Sequence, residues 1–358
     1  MSYILLAISL AVSFLISALS MPLIIYISNK LKLYDTVDER KVHKGNISRL
    51  GGIGITLAFS ISVIILHATG QLASLKQNLL FLVIAAILIT TMGIIDDLVT
   101  LPAKTKIIPQ IVAAILVVAG GYKFSNISIG VYSLNIGLFA YPITLLWIIG
   151  VTNAVNLLDG IDGQCGTVSI ICALTFFFFF LKEGNEAAMA ICLCFSCAIL
   201  GFLIFNWPIP KAKIFMGDGG SQTLGFVLSV LPLLSSKGSL PSISIIYAAG
   251  ILIIPIFDTF AAIWRRLREH RSIGSPDRFH IHHKLMLFGF SSNMTLLIVT
   301  IFQLVLSIFL CASIWLSGWI GAFLLLATYI MGIVLFAVIH YTKEAKINES
   351  QVTKKAAK

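Results

Sequence analysis

Nine aspartates punctuate a chain that is otherwise strongly apolar, and we place them at the edges of its apolar runs. Asp96 and Asp97 close the run 79–95, Asp159 and Asp162 lie in NAVNLLDGIDG (153–163), and Asp218 lies in FMGDGG (215–220). A carboxylate near a bilayer core is costly and by default marks a functional site. Several on one side describe a polar site at one membrane face, with hard oxygen donors that suit a divalent cation.

Each cluster carries its own chemistry. Adjacent carboxylates repel, so Asp96 and Asp97 call for a balancing cation, and Lys104 and Lys106 are close enough in sequence to supply it or to meet a phosphate. Asn153, Asn156 and Asp159 are spaced by three and share a helical face that presents two amide carbonyls and a carboxylate. Gly160 and Gly163 then break that helix and return Asp162 toward the same place. Lys211 and Lys213 precede Asp218, whose flanking glycines free the backbone as a phosphate or metal site requires. His280, His282 and His283 cluster with Arg278 and Lys284. With no thiolate among them, they suit hydrogen bonding to an anionic or sugar ligand better than a transition metal. The loop 28–50 ends in KVHKGNISRLGGIGI, where His43 and several cations precede Gly51, Gly52 and Gly54; these glycines serve either phosphate approach or close helix packing. The plainer alternatives are capping residues for the asparagines and aspartates, and topology charges for the basic loops.

The elements that must position these residues are membrane helices. The 358 residues are 58% hydrophobic and 11% charged, where a soluble domain is about a quarter charged. Apolar runs recur over roughly 3–27, 51–68, 79–95, 107–121, 141–158, 165–181, 187–206, 220–236, 242–264, 293–317 and 319–341. We expect an all-α polytopic membrane protein of about eleven transmembrane helices, with a far-side hairpin within 122–140. The first run is read as a retained helix. One set of loops holds 21 of the 25 Lys and Arg, which makes it cytoplasmic and leaves the N-terminus outside and the C-terminus inside. The net charge of +10 is then a topology signal, and nucleic acid is an unsuitable partner. Residues 1–341 read as one integral membrane domain and 342–358 as a disordered cytoplasmic tail. The six cysteines, Cys194 and Cys197 among them, read as small packing residues, and Phe176–Phe180 as a lipid-facing aromatic run. No Walker-type, dinucleotide or nucleophile-elbow motif occurs.

Taken in order, RKVHKGNISRLGG, GIIDDL with PAKTK, NAVNLLDGIDG, IFMGDGGS and DRFHIHH resemble the motifs of the polyprenyl-phosphate N-acetylhexosamine-1-phosphate transferases, over about residues 28–292. The H-x-H-H piece is similar to the bacterial branch that uses undecaprenyl phosphate and UDP-N-acetylglucosamine. Three positions depart from the family pattern: Thr100 stands where a third acid is common, Ser48 where proline is usual, and Gln164 where an apolar residue is usual. The resemblance implies transfer of N-acetylglucosamine-1-phosphate from UDP-N-acetylglucosamine to undecaprenyl phosphate, releasing UMP, in a bacterial cytoplasmic membrane. It implies Mg²⁺, with Mn²⁺ as a substitute, held by Asp218 and Asn156. Lys106 would hold a phosphate, and Asn153, Asp159 and Asp162 would line the nucleotide pocket. Arg278, His280, His282 and His283 would contact sugar and diphosphate. Asp96 and Asp97 would be the catalytic pair, as base or as positioning groups. The active site would face the cytoplasm, and a homodimer is compatible with this reading. Competing readings are another UDP-N-acetylhexosamine or UDP-muramoyl-pentapeptide as donor and, in a different class, a secondary transporter, which should carry its polar groups near the midplane of repeated halves.

Overall fold

A computed structural model of the protein describes residues 1–33, 47–99, 101–129, 132–209, 211–235, 243–272, 274–275, 277, 279–316 and 318–356. His43, Thr100 and Arg278 lie outside the described residues. In chain order the elements are α1 (Tyr3–Leu31), α2 (Gly51–Ala68), α3 (Leu79–Val99), α4 (Ala103–Ala119), the strands β1 (Asn126–Ile129) and β2 (Tyr132–Asn135), then α5 (Ala140–Leu158), α6 (Gln164–Glu183), α7 (Glu186–Asn206), α8 (Gly217–Val230), α9 (Ile245–Ile251), α10 (Ile253–Arg268), α11 (Ile281–Leu287), α12 (Ser292–Leu316) and α13 (Gly318–Ala356). The strands pair antiparallel, Asn126 opposite Asn135 and Ile129 opposite Tyr132, and form the expected hairpin.

The chain is a multi-pass, helical membrane protein. Among the described residues eight helices are long and apolar enough to cross a membrane, or nine if α9 and α10 count as one bent span. The eleven expected spans included three that differ. The run 107–121 folds as α4, of 17 residues. The run 220–236 folds as α8, only 14 residues. At 1.5 Å per residue α8 covers about 21 Å, and a 3-10 turn at Leu231–Leu233 extends it. From Gly219 to Val230 every residue of α8 is buried, so it is a core helix, packed against α2, α3 and α5. The third, 242–264, bends by 86° between α9 and α10.

One smaller expectation also changes. Phe176, Phe179 and Phe180 are buried and only Phe178 is strongly exposed. Successive residues on a helix turn by about 100°, so five in a row cannot all face lipid. The helix α13 continues through 342–356 to Ala356. Its Lys, Glu, Ala and Gln are good helix formers, and extending an existing helix needs no new nucleus.

The bend has a definite cause. Pro255 has no N–H, so the carbonyl four residues earlier, Ile251, loses its helical donor. That carbonyl accepts instead from Gln303 Nε2 of α12 at 3.1 Å and from Cys172 Sγ of α6 at 3.3 Å. All three residues are buried. We expect Gln303→Leu to cost about 1–3 kcal/mol of stability, the penalty for an unmet buried polar group. This reads as a lower unfolding midpoint in detergent, and an unchanged midpoint would mean that Cys172 alone satisfies the carbonyl.

Candidate active site

The site is built around the first turn of α8. Its backbone enters beside that of α2: Phe215 N donates to Ser48 O, Gly51 N to Phe215 O and Gly52 N to Met216 O, at 2.8–3.1 Å. Ser48 Oγ also accepts from Leu50 N at 3.2 Å, so serine orders the turn where proline is usual. A Cβ on Gly52 would overlap the backbone of Gly220, and one on Gly93 would overlap Gly219. The glycines that open α2 are therefore packing residues that let α2, α3 and α8 approach backbone to backbone.

This approach gathers five polar side chains into one hydrogen-bonded chain. Lys106 pairs with Asp96 and lies 3.2 Å from Asp218 Oδ2. Asn156 Nδ2 donates to Asp218 Oδ1 at 3.2 Å and to Ser221 Oγ at 2.8 Å. Asp96 also accepts from the Leu101 N–H at 2.7 Å. A carboxylate in the first turn of a helix is favoured by the helix dipole, and the lysine supplies the charge that two close acids need. Asp97 turns the other way and accepts from Gly219 N at 3.1 Å. Gly217, with φ +70°, sits so close to Arg49 O and Asp97 that no side chain fits there.

A second wall comes from sequence over a hundred residues away. His282 packs directly on Gly160, where a Cβ would overlap its imidazole. His280, His282 and His283 form one cluster, with His282 and His283 ring centres 4.2 Å apart. Burial and the neighbouring histidines push the His282 pKa down to about 3, so its ring stays neutral. Asp159 caps the end of α5 in a recess of the protein that remains open to water. Partial removal from solvent, then the carboxylates of Asp218, Asp97 and Asp162, push its pKa up to about 7.

Sequence reasoning missed the groups that brace these walls. Asp258 lies within α10, inside the expected span 242–264 and not at its edge. The bend carries it to the histidines, where Oδ2 lies 2.6 Å from His280 Nδ1 and Oδ1 accepts from Ile281 N at 2.8 Å. One carboxylate thus fixes the His280 ring and caps α11. Arg265 donates through Nε and a terminal nitrogen to Asp277 at 3.2 and 2.6 Å. Burial alone would raise the Asp277 carboxyl, but these bonds outweigh it and hold it below the usual range. Asn153 does not face Asp218; its amide engages Gln110 and the Ile149 carbonyl. Asn206 bridges Gly163 N and the Ile214 carbonyl, tying the DGIDG loop to the segment that leads into α8. A polar residue inside an apolar helix was the available signal for Asp258, Gln110 and Gln222.

The contact between Gly160 and His282 gives a direct test. We expect Gly160→Ala to destabilise by about 1–3 kcal/mol, as overpacking does. In a His282→Ala background that penalty should largely vanish, and a double-mutant cycle measured by unfolding in detergent reads the coupling. Additive penalties would show that the two do not touch.

Comparison with known proteins agrees with this geometry. Residues 79–236, from the start of α3 past the end of α8, match the family described as "Glycosyl transferase family 4". A probable undecaprenyl-phosphate N-acetylglucosaminyl 1-phosphate transferase from Bacillus subtilis is 36% identical over 320 residues, 87% of each chain. The undecaprenyl-phosphate alpha-N-acetylglucosaminyl 1-phosphate transferase of Escherichia coli K12 is 32% identical over 285 residues, 77% of this chain and 75% of its own. With that much of the chain shared, and with the aspartate, asparagine and histidine motifs converging on one site, this protein belongs to glycosyl transferase family 4.

Proposed function

We propose that the protein transfers N-acetylglucosamine-1-phosphate from UDP-N-acetylglucosamine to undecaprenyl phosphate. A phosphate oxygen of the lipid attacks the phosphorus that bears the sugar. The bond from that phosphorus to the oxygen of UMP breaks, and UMP leaves. The products are undecaprenyl-diphospho-N-acetylglucosamine and UMP. The observation that carries this reading is the identity with the Bacillus relative across 87% of both chains. The excess of Lys and Arg in one set of loops supports a site on the cytoplasmic side of a bacterial inner membrane, where a soluble nucleotide sugar would meet a lipid phosphate.

The donor set fits Mg²⁺. Among the described residues no three His, Cys, Asp or Glu side chains form a complete metal cage. Asp218 and Asn156 stand side by side as hard donors, and Mg²⁺ typically takes one or two protein ligands and completes its shell with water and substrate phosphates. Asn156 meets Asp218 through its nitrogen, and half a turn of its terminal amide would offer the oxygen. When bound, the ion would neutralise charge on the diphosphate and on departing UMP. Lys106, held by Asp96 and Asp218, would contribute a fixed positive charge to a phosphate oxygen. The neutral His282, with neither ring nitrogen hydrogen-bonded to a described residue, and the braced His280 would meet sugar and diphosphate oxygens, and Asp159 and Asp162 would line the nucleotide pocket.

Asp97 is assigned to positioning. Its carboxylate already accepts from Gly219 N at the start of α8, and a phosphate monoester with a second pKa near 6 is largely dianionic at neutral pH without help. We expect Asp97→Asn to lower kcat at least tenfold while leaving the shape of the pH–rate profile unchanged. Loss of one limb of that profile would make Asp97 the base instead.

The reaction is tested with purified protein, UDP-[³H]N-acetylglucosamine and undecaprenyl phosphate, with Mg²⁺ and with EDTA. Metal-dependent labelled lipid and UMP are expected. Product only from another UDP-sugar would keep the chemistry and replace the donor.

A further inference from the structure

One helical turn inward from the charged chain lies a second polar layer. On α4, Gln110 follows Lys106 by four residues. On α5, Asn153 precedes Asn156 by three. On α8, Gln222 follows Asp218 by four. Residues at these spacings stack on one helix face. The three amides bond to each other: Asn153 Nδ2 donates to Gln110 Oε1 at 2.6 Å, and Gln110 Nε2 donates to Gln222 Oε1 at 3.0 Å. Gln110 and Gln222 are buried, 2% and 5% exposed. The next residue of α8, Thr223, extends the layer in the opposite direction. Thr223 Oγ1 lies 2.6 Å from Thr90 Oγ1 of α3, which lies 2.7 Å from Thr56 Oγ1 of α2. Five helices are thus linked through two adjacent residues of α8.

We infer that Gln110 and Gln222 are positioning residues for the transfer reaction, setting the rotation of α8 so that Asp218 meets Asn156 and Lys106. The argument is one of register. At its first turn α8 meets α2 and α3 through Gly219 and Gly220, against Gly93 and Gly52. Glycine contacts allow close approach but have no side chains to interlock, so they do not define how far the helix is turned about its axis. Directional hydrogen bonds do. A rotation that displaced Asp218 from Asn156 would also break the Gln222–Gln110 bond one turn below it. Apolar residues at 110 and 222 would fill the same volume without specifying that angle.

The metal arm of this inference rests on the Asp218–Asn156 reading above, so the test carries a second arm that does not. The full chain in detergent is made as wild type, Gln110→Leu, Gln222→Leu and the Gln110→Leu/Gln222→Leu pair. Unfolding midpoint, Mn²⁺ affinity by electron paramagnetic resonance, and kcat and KM for UDP-N-acetylglucosamine are measured on each. A single leucine strands its buried partner and lowers the midpoint, whereas the leucine pair removes both groups, leaves half-buried Asn153 its bond to the Ile149 carbonyl, and recovers most of it. We expect Mn²⁺ affinity and kcat to fall about tenfold in all three variants, the size of effect that supporting residues have at metal sites. KM should stay within about twofold, and the pair should not recover activity when it recovers stability. Activity and affinity that return together with the midpoint would overturn the inference and leave the layer a packing element. Wild-type protein that is active but binds no Mn²⁺ would refute the metal reading, and the kcat arm would still decide this one.

Discussion

The carboxylate of Asp218 is the constraint around which the bundle is arranged. It stands at the first turn of a 14-residue helix whose following residues are wholly enclosed by protein. The Asp218 side chain is 33% exposed, so water meets part of its charge and the rest needs partners. Lys106 from α4 and Asn156 from α5 supply the compensation, and the start of α8 contributes its dipole. None of these partners is near Asp218 in sequence. The glycines of α2, α3 and α8 matter because only their missing side chains let the helices come close enough for those groups to reach.

The same economy shapes the far wall of the site. Pro255 removes one backbone donor, the helix breaks, and α10 leaves at 86°. The freed Ile251 carbonyl is met by buried side chains of α6 and α12, so the break is a built feature rather than a loose joint. Its consequence is placement. Asp258 sits in the second turn of α10 and would lie within the membrane on a straight helix, yet it holds His280 and caps α11. The His282 ring then rests on Gly160, closing the DGIDG turn against the histidine segment. The placement of this wall follows from a proline three residues before an aspartate.

Much of this was legible in the residues themselves. The apolar runs define the helices because every backbone group in lipid must be met within its own helix. The aspartate, asparagine and histidine motifs stand out because charge and amide groups are rare in such surroundings. Local rules also explain the failures. Hydropathy reads length of apolar sequence, and α8 is apolar while wholly enclosed by protein, so hydropathy alone does not separate it from a lipid-facing span. The phenylalanine run 176–180 reads as lipid-facing for the same reason: core and lipid select similar residues.

The sequence by itself determined that this is a helical membrane protein with acids, amides and histidines gathered near the ends of its apolar runs, since composition and spacing carry that directly. Only the tertiary structure decided the partners. It paired Lys106 rather than Lys104 with Asp96 and Asp218 and turned Asp97 to a backbone N–H. It withdrew Asn153 into a layer with Gln110 and Gln222 and brought Asp258 to His280. The physical reason is that a hydrogen bond needs its two groups within about 3 Å. For residues dozens to more than a hundred positions apart, that distance is set by how helices cross and bend, not by the order of residues along the chain.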